Sequence, residues 1–281
     1  MKPEILIVTN GYEGTWSAIE EGAWFASALD AAITLLGVNE QANPAAIDDS
    51  YPLEGVFERA VGLFQAQGLE YRLEVRNGSA EDVLARYKKQ DDSILVLGPL
   101  GRPQMRRWIV GRSIRHFIEE VEQPILYVPE IKLPIKKVLL CVGGLGYDVI
   151  AERLALKAAT KSGAELTLLH IVPPVDLKYP TAQAVSKNWQ HLADTDTPVG
   201  RSLRQSLEYA KAAGLNVSVK GRQGNVVEEI LLEVQEGKYD LLCMGSSYSV
   251  HSLRQMTSAN VTAEVIEVAG CPVLTARYKK E

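Results

Sequence analysis

At 281 residues, with 46% hydrophobic and 23% charged residues, the chain has the make-up of a globular protein long enough for two domains of ordinary size. No apolar run approaches the roughly 20 residues needed to cross a bilayer, so no membrane partner is expected. A net charge of −5 argues against general binding to nucleic acid.

The chain enters an apolar run at Glu4–Thr9, which leaves no room for a signal-peptide layout and predicts a cytoplasmic protein. An amphipathic stretch follows at Thr15–Leu29, with Trp16, Ile19, Ala23 and Ala26 on one face. Strand-like runs recur at Ala32–Val38, Leu69–Arg76, Ser93–Gly98 and Ile125–Val128. Helical patterns separate them at Leu53–Gln67, Ala80–Gln90 and Arg112–Val121. Nearly continuous apolar strands alternating with helices predict a parallel sheet covered on both faces. Prolines then bracket a short linker, Pro129–Pro134.

The second half repeats the first. Thr34 aligns with Thr167 and Val38 with Ile171 at an offset of 133; Gly68 aligns with Gly214 at 146, Gly98 with Gly245 at 147 and Pro124 with Pro272 at 148. The element order therefore predicts two α/β domains of five strands each, residues 1–130 and 134–281, the last strand lying at Pro272–Ala276. The jump from 133 to 146 marks an insertion of 13 residues within about 173–199, a proline-rich polar segment expected to form a long loop or lid. Trp189 and Tyr179 in this segment suit either a cover over a cleft or an anchor on the domain surface. Residues 1–131 carry 12 Lys+Arg against 20 Asp+Glu, and residues 132–281 carry 18 against 15, a contrast that favours packing of the halves only weakly through screened charge.

The chemistry concentrates in Ser93–Pro129. The run Ile94–Leu97 stops at Gly98, Gly101 follows after two residues and Gly111 after nine more, and a helical pattern then begins with Ile114, Phe117, Ile118 and Val121. Strand, glycine-punctuated loop and helix start together suit a phosphate, because glycine allows close backbone approach and the first helical N–H groups need an acceptor. They also suit a tight connection with no ligand. Asn10-Gly11 reads as a strand-end turn, with or without a ligand role. Arg102, Arg106, Arg107, Arg112 and Arg115 crowd this loop in an otherwise acidic half; they suit phosphate neutralisation, a solvated face, or pairing with Glu119, Glu120 and Glu122.

Cys141, Cys243 and Cys271 show no paired spacing and read as buried reduced thiols. His116, His170, His191 and His251 are scattered over different elements and read as structural or surface residues. The stretch Cys141–Asp148 (CVGGLGYD) only loosely resembles the pyrophosphate loop of ATP pyrophosphatases, since its serine is missing and its acidic residue displaced. No Ser-His-Asp set or acid pair stands at useful spacing, so no catalytic residue and no metal ligand is expected.

Gly98-x2-Gly101-x9-Gly111, with Pro124 opening the next strand, resembles the universal stress protein family in its tandem form, over essentially the whole chain. The resemblance implies a doubly wound parallel sheet of order 3-2-1-4-5 in each copy, with ligands at the carboxyl ends of the first and fourth strands, where the order reverses. Members with this glycine pattern bind ATP, so the family implies ATP or another adenine nucleotide, with or without Mg²⁺. By position, Thr9, Asn10 and Val38 would serve adenosine. Leu97, Gly98, Leu100, Gly101, Arg102, Gly111, Arg112, Ser113 and Ile114 would serve ribose and phosphates. It also implies that the last strands of the two copies pair as an intramolecular pseudo-dimer, covering an apolar edge.

Two positions of copy one depart from the family. Asn10 stands where the family has aspartate, which keeps an acceptor but adds a donor and removes a charge. Arg112 stands where a hydroxyl residue is usual, with Ser113 one position late; a guanidinium grips phosphate bidentately. Copy two departs further: Gly143 replaces the aspartate, Tyr248 the second glycine, and Ala259-Asn260 the Gly-Ser pair. A side chain where backbone must approach phosphate blocks it, so copy two is expected not to bind ATP. The expected function is non-catalytic, regulatory nucleotide binding in copy one during stress response, with an unidentified protein partner. The alternative is a nucleotide-free interaction protein whose glycines are relics of the fold.

Overall fold

The computed structural model describes residues 2–39, 52–87, 93–100, 121, 123–144, 148–173, 180–246 and 261–277. The chain divides into two compact units, Met1–Ile131 and Lys132–Glu281.

Unit 1 runs β1 (Glu4–Thr9), α1 (Trp16–Leu29), β2 (Ala32–Asn39), α2 (Pro52–Ala66), β3 (Tyr71–Asn77), α3 (Ala80–Arg86), β4 (Ser93–Leu97) and β5 (Ile125–Tyr127). The strands are parallel in the order β3-β2-β1-β4-β5, so the winding reverses between β1 and β4. Every residue of β1 and β4 is buried, as expected of central strands covered on both faces. β3 is an edge strand and shows it: Arg72, Glu74 and Arg76 alternate with Tyr71, Leu73 and Val75, and Val75 remains 54% exposed. It starts at Tyr71 rather than Leu69, because Gly68 at φ 65° turns the chain and the Leu69 N–H closes α2 on the Phe64 carbonyl at 2.9 Å. α3 stops at Arg86, where Tyr87 becomes extended.

Unit 2 runs β6 (Lys137–Cys141), α4 (Val149–Ser162), β7 (Glu165–Val172), α5 (Pro180–Lys187), α6 (Pro198–Ala212), β8 (Val217–Gln223), α7 (Val226–Gly237), β9 (Leu241–Ser246), α8 (Val261–Val268) and β10 (Val273–Arg277). Its strands are parallel in the order β8-β7-β6-β9-β10, the same 3-2-1-4-5 winding. A buried carboxylate ties its edge together. Glu233 of α7 accepts from Lys220 at 2.6 Å, Arg222 at 2.9 Å and Tyr239 at 2.9 Å. Burial opposes its charge, but these hydrogen bonds outweigh burial and hold the carboxyl below its ordinary range.

The inserted segment is not the long loop expected. Within it lie α5 and a 3-10 turn, Trp189–Asp194, and α6 begins at Pro198. Thr197 caps α6, its hydroxyl accepting from the Gly200 N–H at 3.0 Å, with proline in the first turn. Arg204 binds the segment down through the carbonyls of Ala193 and Thr195, at 2.5 and 2.8 Å. Of the two aromatic residues expected to cover or anchor, Trp189 is half-buried with its carbonyl oxygen pressed on Gly221 of β8, and Tyr179 lies outside the described residues. Among the described residues no helix is long and apolar enough to cross a membrane.

Candidate functional site

The reversal between β1 and β4 brings the chain after Thr9 beside the chain after Leu97, since Val8 and Leu97 are register partners and Thr9 pairs with Gly37 of β2. The turn leaving β1 is closed by a directed hydrogen-bond relay. The Gly11 N–H donates to Thr9 Oγ1 at 3.1 Å, and Thr15 Oγ1 donates to the Tyr12 carbonyl at 2.7 Å. The 2.6 Å bond between the two hydroxyls therefore runs from Thr9 to Thr15. Gly11 sits at φ 87°, the left-handed region that favours glycine.

Asn10 crosses to the other strand end, its Nδ2 donating to the Leu100 carbonyl at 2.8 Å. Gly98 is held as closely: a Cβ there would stand 3.2 Å from Ala18 Cβ, the Gly14 carbonyl oxygen and Thr15 Cα. The close approach that favours glycine at 98 is thus to the protein's own Ala18 side chain and the backbone of Gly14 and Thr15. Beside the turn, Arg59 of α2 stacks over Trp16 at 3.7 Å and pairs with Glu13 at 3.0 Å.

Of the residues expected to contact nucleotide, the structure brings Thr9, Asn10, Leu97, Gly98 and Leu100 together, with Val38 one register step beyond Gly37. They form a packed floor: Thr9 and Val38 have no exposed surface, and Leu97 and Asn10 keep only 3% and 7%. Gly101, Arg102, Gly111, Arg112, Ser113 and Ile114 lie outside the described residues, as do Tyr248, Ala259 and Asn260 of the second copy and most of the helix expected at Arg112–Val121. Thr15 and Gly14 were not anticipated. The repeat carried a signal for Thr15, because at an offset of 133 it matches Asp148, and Thr and Asp both suit a helix start. Neither side chain caps its helix in the structure. Each turns back to the strand end instead.

In unit 2 the matching turn is built differently. Val142 replaces Thr9, Gly143 replaces Asn10, and Asp148 Oδ2 accepts from the Gly143 N–H at 2.9 Å. Gly144 takes the left-handed conformation at φ 74°, and a Cβ on it would meet Val199 of α6. Residues Cys141–Gly144 and Asp148 thus form a plain strand-end turn. His170, where unit 1 has Gly37, is buried with its Nδ1 2.6 Å from the Val142 carbonyl, and burial lowers its pKa against the opposing pull of that bond and of Asp148. Burial pushes the Cys141 thiol up to about 12, helped by Asp148 and Glu233, and raises Cys243 well above its ordinary value. Such thiols are poor nucleophiles at neutral pH. Among the described residues no group of three or more His, Cys, Asp or Glu could hold a metal ion.

Two five-stranded units with the same doubly wound strand order define a tandem α/β protein whose candidate cleft lies where the strand order reverses. The model of the universal stress protein family matches residues 1–129 and again 134–277, and the chain belongs to that family. Among solved structures, a universal stress protein from Archaeoglobus fulgidus DSM 4304 is 18% identical with a TM-score of 0.67, over 99% of each chain. A functionally unknown protein from Pseudomonas aeruginosa PAO1 is 12% identical with a TM-score of 0.65, over 98% of this chain and 92% of the other. The cytoplasmic domain of a prokaryotic cation chloride cotransporter is 13% identical with a TM-score of 0.56, over 99% and 96%. At these identities the likeness is one of fold. No curated protein matches the chain.

Proposed function

We propose that unit 1 binds an adenine nucleotide, ATP in the first instance, and that unit 2 does not. The reading is carried by one juxtaposition: the 2.8 Å bond from Asn10 to Leu100 ties the turn after β1 to the residue preceding Gly101. The glycine-spaced segment thereby starts at the order reversal, where doubly wound sheets take ligands. Gly98 alone does not carry it, since its packing on Ala18, Gly14 and Thr15 already favours glycine. Thr9 and Val38 form the floor beneath adenosine. Gly101, Gly111, Arg112 and Ser113 are the phosphate contacts we propose from the family resemblance, the glycines allowing close approach and the guanidinium a bidentate grip. Arg102 and Ile114 flank them. Unit 2 lacks this chemistry, with Gly143 in place of Asn10 and Tyr248 at the second glycine position. The role we propose for this binding is regulatory, within a stress response. Isothermal titration of the purified chain with ATP, with and without Mg²⁺, tests this: one site per chain is expected, and no measurable affinity at millimolar nucleotide overturns it.

A further inference from the structure

Asn10 departs from the aspartate that the family resemblance implies, and its surroundings show what the amide does there. The residue is 7% exposed. Its Nδ2 donates to the Leu100 carbonyl at 2.8 Å, and its Oδ1 accepts from the Tyr12 N–H at 3.4 Å. A carbonyl oxygen only accepts and a backbone N–H only donates, so the partners fix which way the amide points. An ionised carboxylate at this position has no proton to give. It would keep the acceptor for the Tyr12 N–H but set its second oxygen against the Leu100 carbonyl in a buried place, where an unmet polar contact is most costly.

We infer that Asn10 is a positioning residue: its side chain latches the first residues of the glycine segment to the end of β1, and so shapes the nucleotide site from within the protein. This rests on the proposed nucleotide reading, although the latch itself exists without ligand. Gly98 supports it independently, since the same loop is drawn onto Gly14 and Thr15 closely enough to exclude a Cβ at ordinary contact distance. The bond spans 90 positions of sequence between two strand ends that no covalent connection holds together.

The near-isosteric variant Asn10→Asp tests the donor directly. At pH 8 its carboxylate cannot donate and the latch opens. At pH 5 a carboxyl whose pKa is raised by burial beside a carbonyl takes up a proton and donates again. Asn10→Ala lacks a donor at every pH and serves as the control. The first measurement is thermal unfolding of ligand-free wild-type chain, Asn10→Asp and Asn10→Ala at both pH values. Asn10→Asp is expected to melt several degrees below wild type at pH 8 and to recover most of that gap at pH 5, while Asn10→Ala stays low at both. The second is ATP titration, each variant compared with wild type at the same pH. Affinity of Asn10→Asp is expected to fall about tenfold or more at pH 8 and to return towards wild type at pH 5, a recovery that loss of packing alone would not produce. A ligand-free gap that is absent at pH 8, or equal at the two pH values, overturns the latch whatever ATP does. Failure of the wild-type chain to bind ATP overturns the nucleotide reading, and the first measurement still decides the latch.

Discussion

A Cβ on Gly221 of β8 would run into the carbonyl oxygen of Trp189, so the backbone of the inserted segment lies directly on the edge strand. The obstacle is main chain, which cannot swing aside as a flexible side chain can. Gln223 at the end of β8 reaches Ser186 of α5 at 3.4 Å, continuing the same contact. Gly221→Val is therefore expected to lift the segment from the sheet without disturbing β6, β7 or β9. Overpacking of this kind costs about 1–3 kcal/mol, which corresponds to an opening of the segment that is ~5–150 times more populated. Limited proteolysis with mass spectrometry should show cleavage within 180–195 accelerated to that degree while the rest of unit 2 persists. Unchanged cleavage would show that the contact does not hold the segment.

That segment also marks where sequence reasoning stopped. Parallel pairing and the two-fold repeat were legible, because β1, β2 and β4 are apolar runs flanked by breakers and the offsets of 133 and 146 hold across whole elements; the strand order came only with the family resemblance. The insertion read as loop because it is rich in proline and polar residues, and α5 within it is short and buries none of its side chains. Thr9 and Asn10 entered the candidate site only through the family resemblance, and Gly98 through the glycine spacing after an apolar run. What they bond to was not legible. The partners of Asn10 and Gly98 lie 90 and 84 positions away, at Leu100 and Gly14, and only the order reversal brings them together.

The relay through Thr9 and Thr15 offers a test of the turn that supports the site. Thr9→Val removes the acceptor for the Gly11 N–H and the donor to Thr15; Thr15→Val strands the Thr9 hydroxyl proton. Thr9 and Thr15 both have no exposed surface, so each single change leaves a buried polar group unmet, a loss of about 1–3 kcal/mol. The double variant removes both hydroxyls of the shared bond and should be less destabilised than the sum of the singles by about 1 kcal/mol. Chemical denaturation of the four chains measures this coupling. Strict additivity would mean that the 2.6 Å bond contributes nothing to the turn.

The matching pair Gly37 and His170 predicts a pH response confined to unit 2. In unit 1 the absence of a side chain at Gly37 admits Phe57, whose Cζ would stand 2.7 Å from a Cβ there. In unit 2 an imidazole stands at that position, buried and bonded through Nδ1 to the Val142 carbonyl. Burial lowers its pKa below the ordinary 6.5, with the Val142 bond and the Asp148 charge opposing. A depressed folded-state value means that the contribution to stability is fully present above about pH 6.5 and is lost as pH falls through the folded value. Glu152, raised mainly by burial, contributes in the opposite sense, its stability being lost as pH rises. The two are separated by a difference measurement. His170→Asn keeps a donor for the Val142 carbonyl but does not titrate, so its melting temperature should lie below wild type at pH 7.5 and the gap should close towards pH 5. A gap that is constant between those values would show that proton uptake at His170 is not coupled to folding.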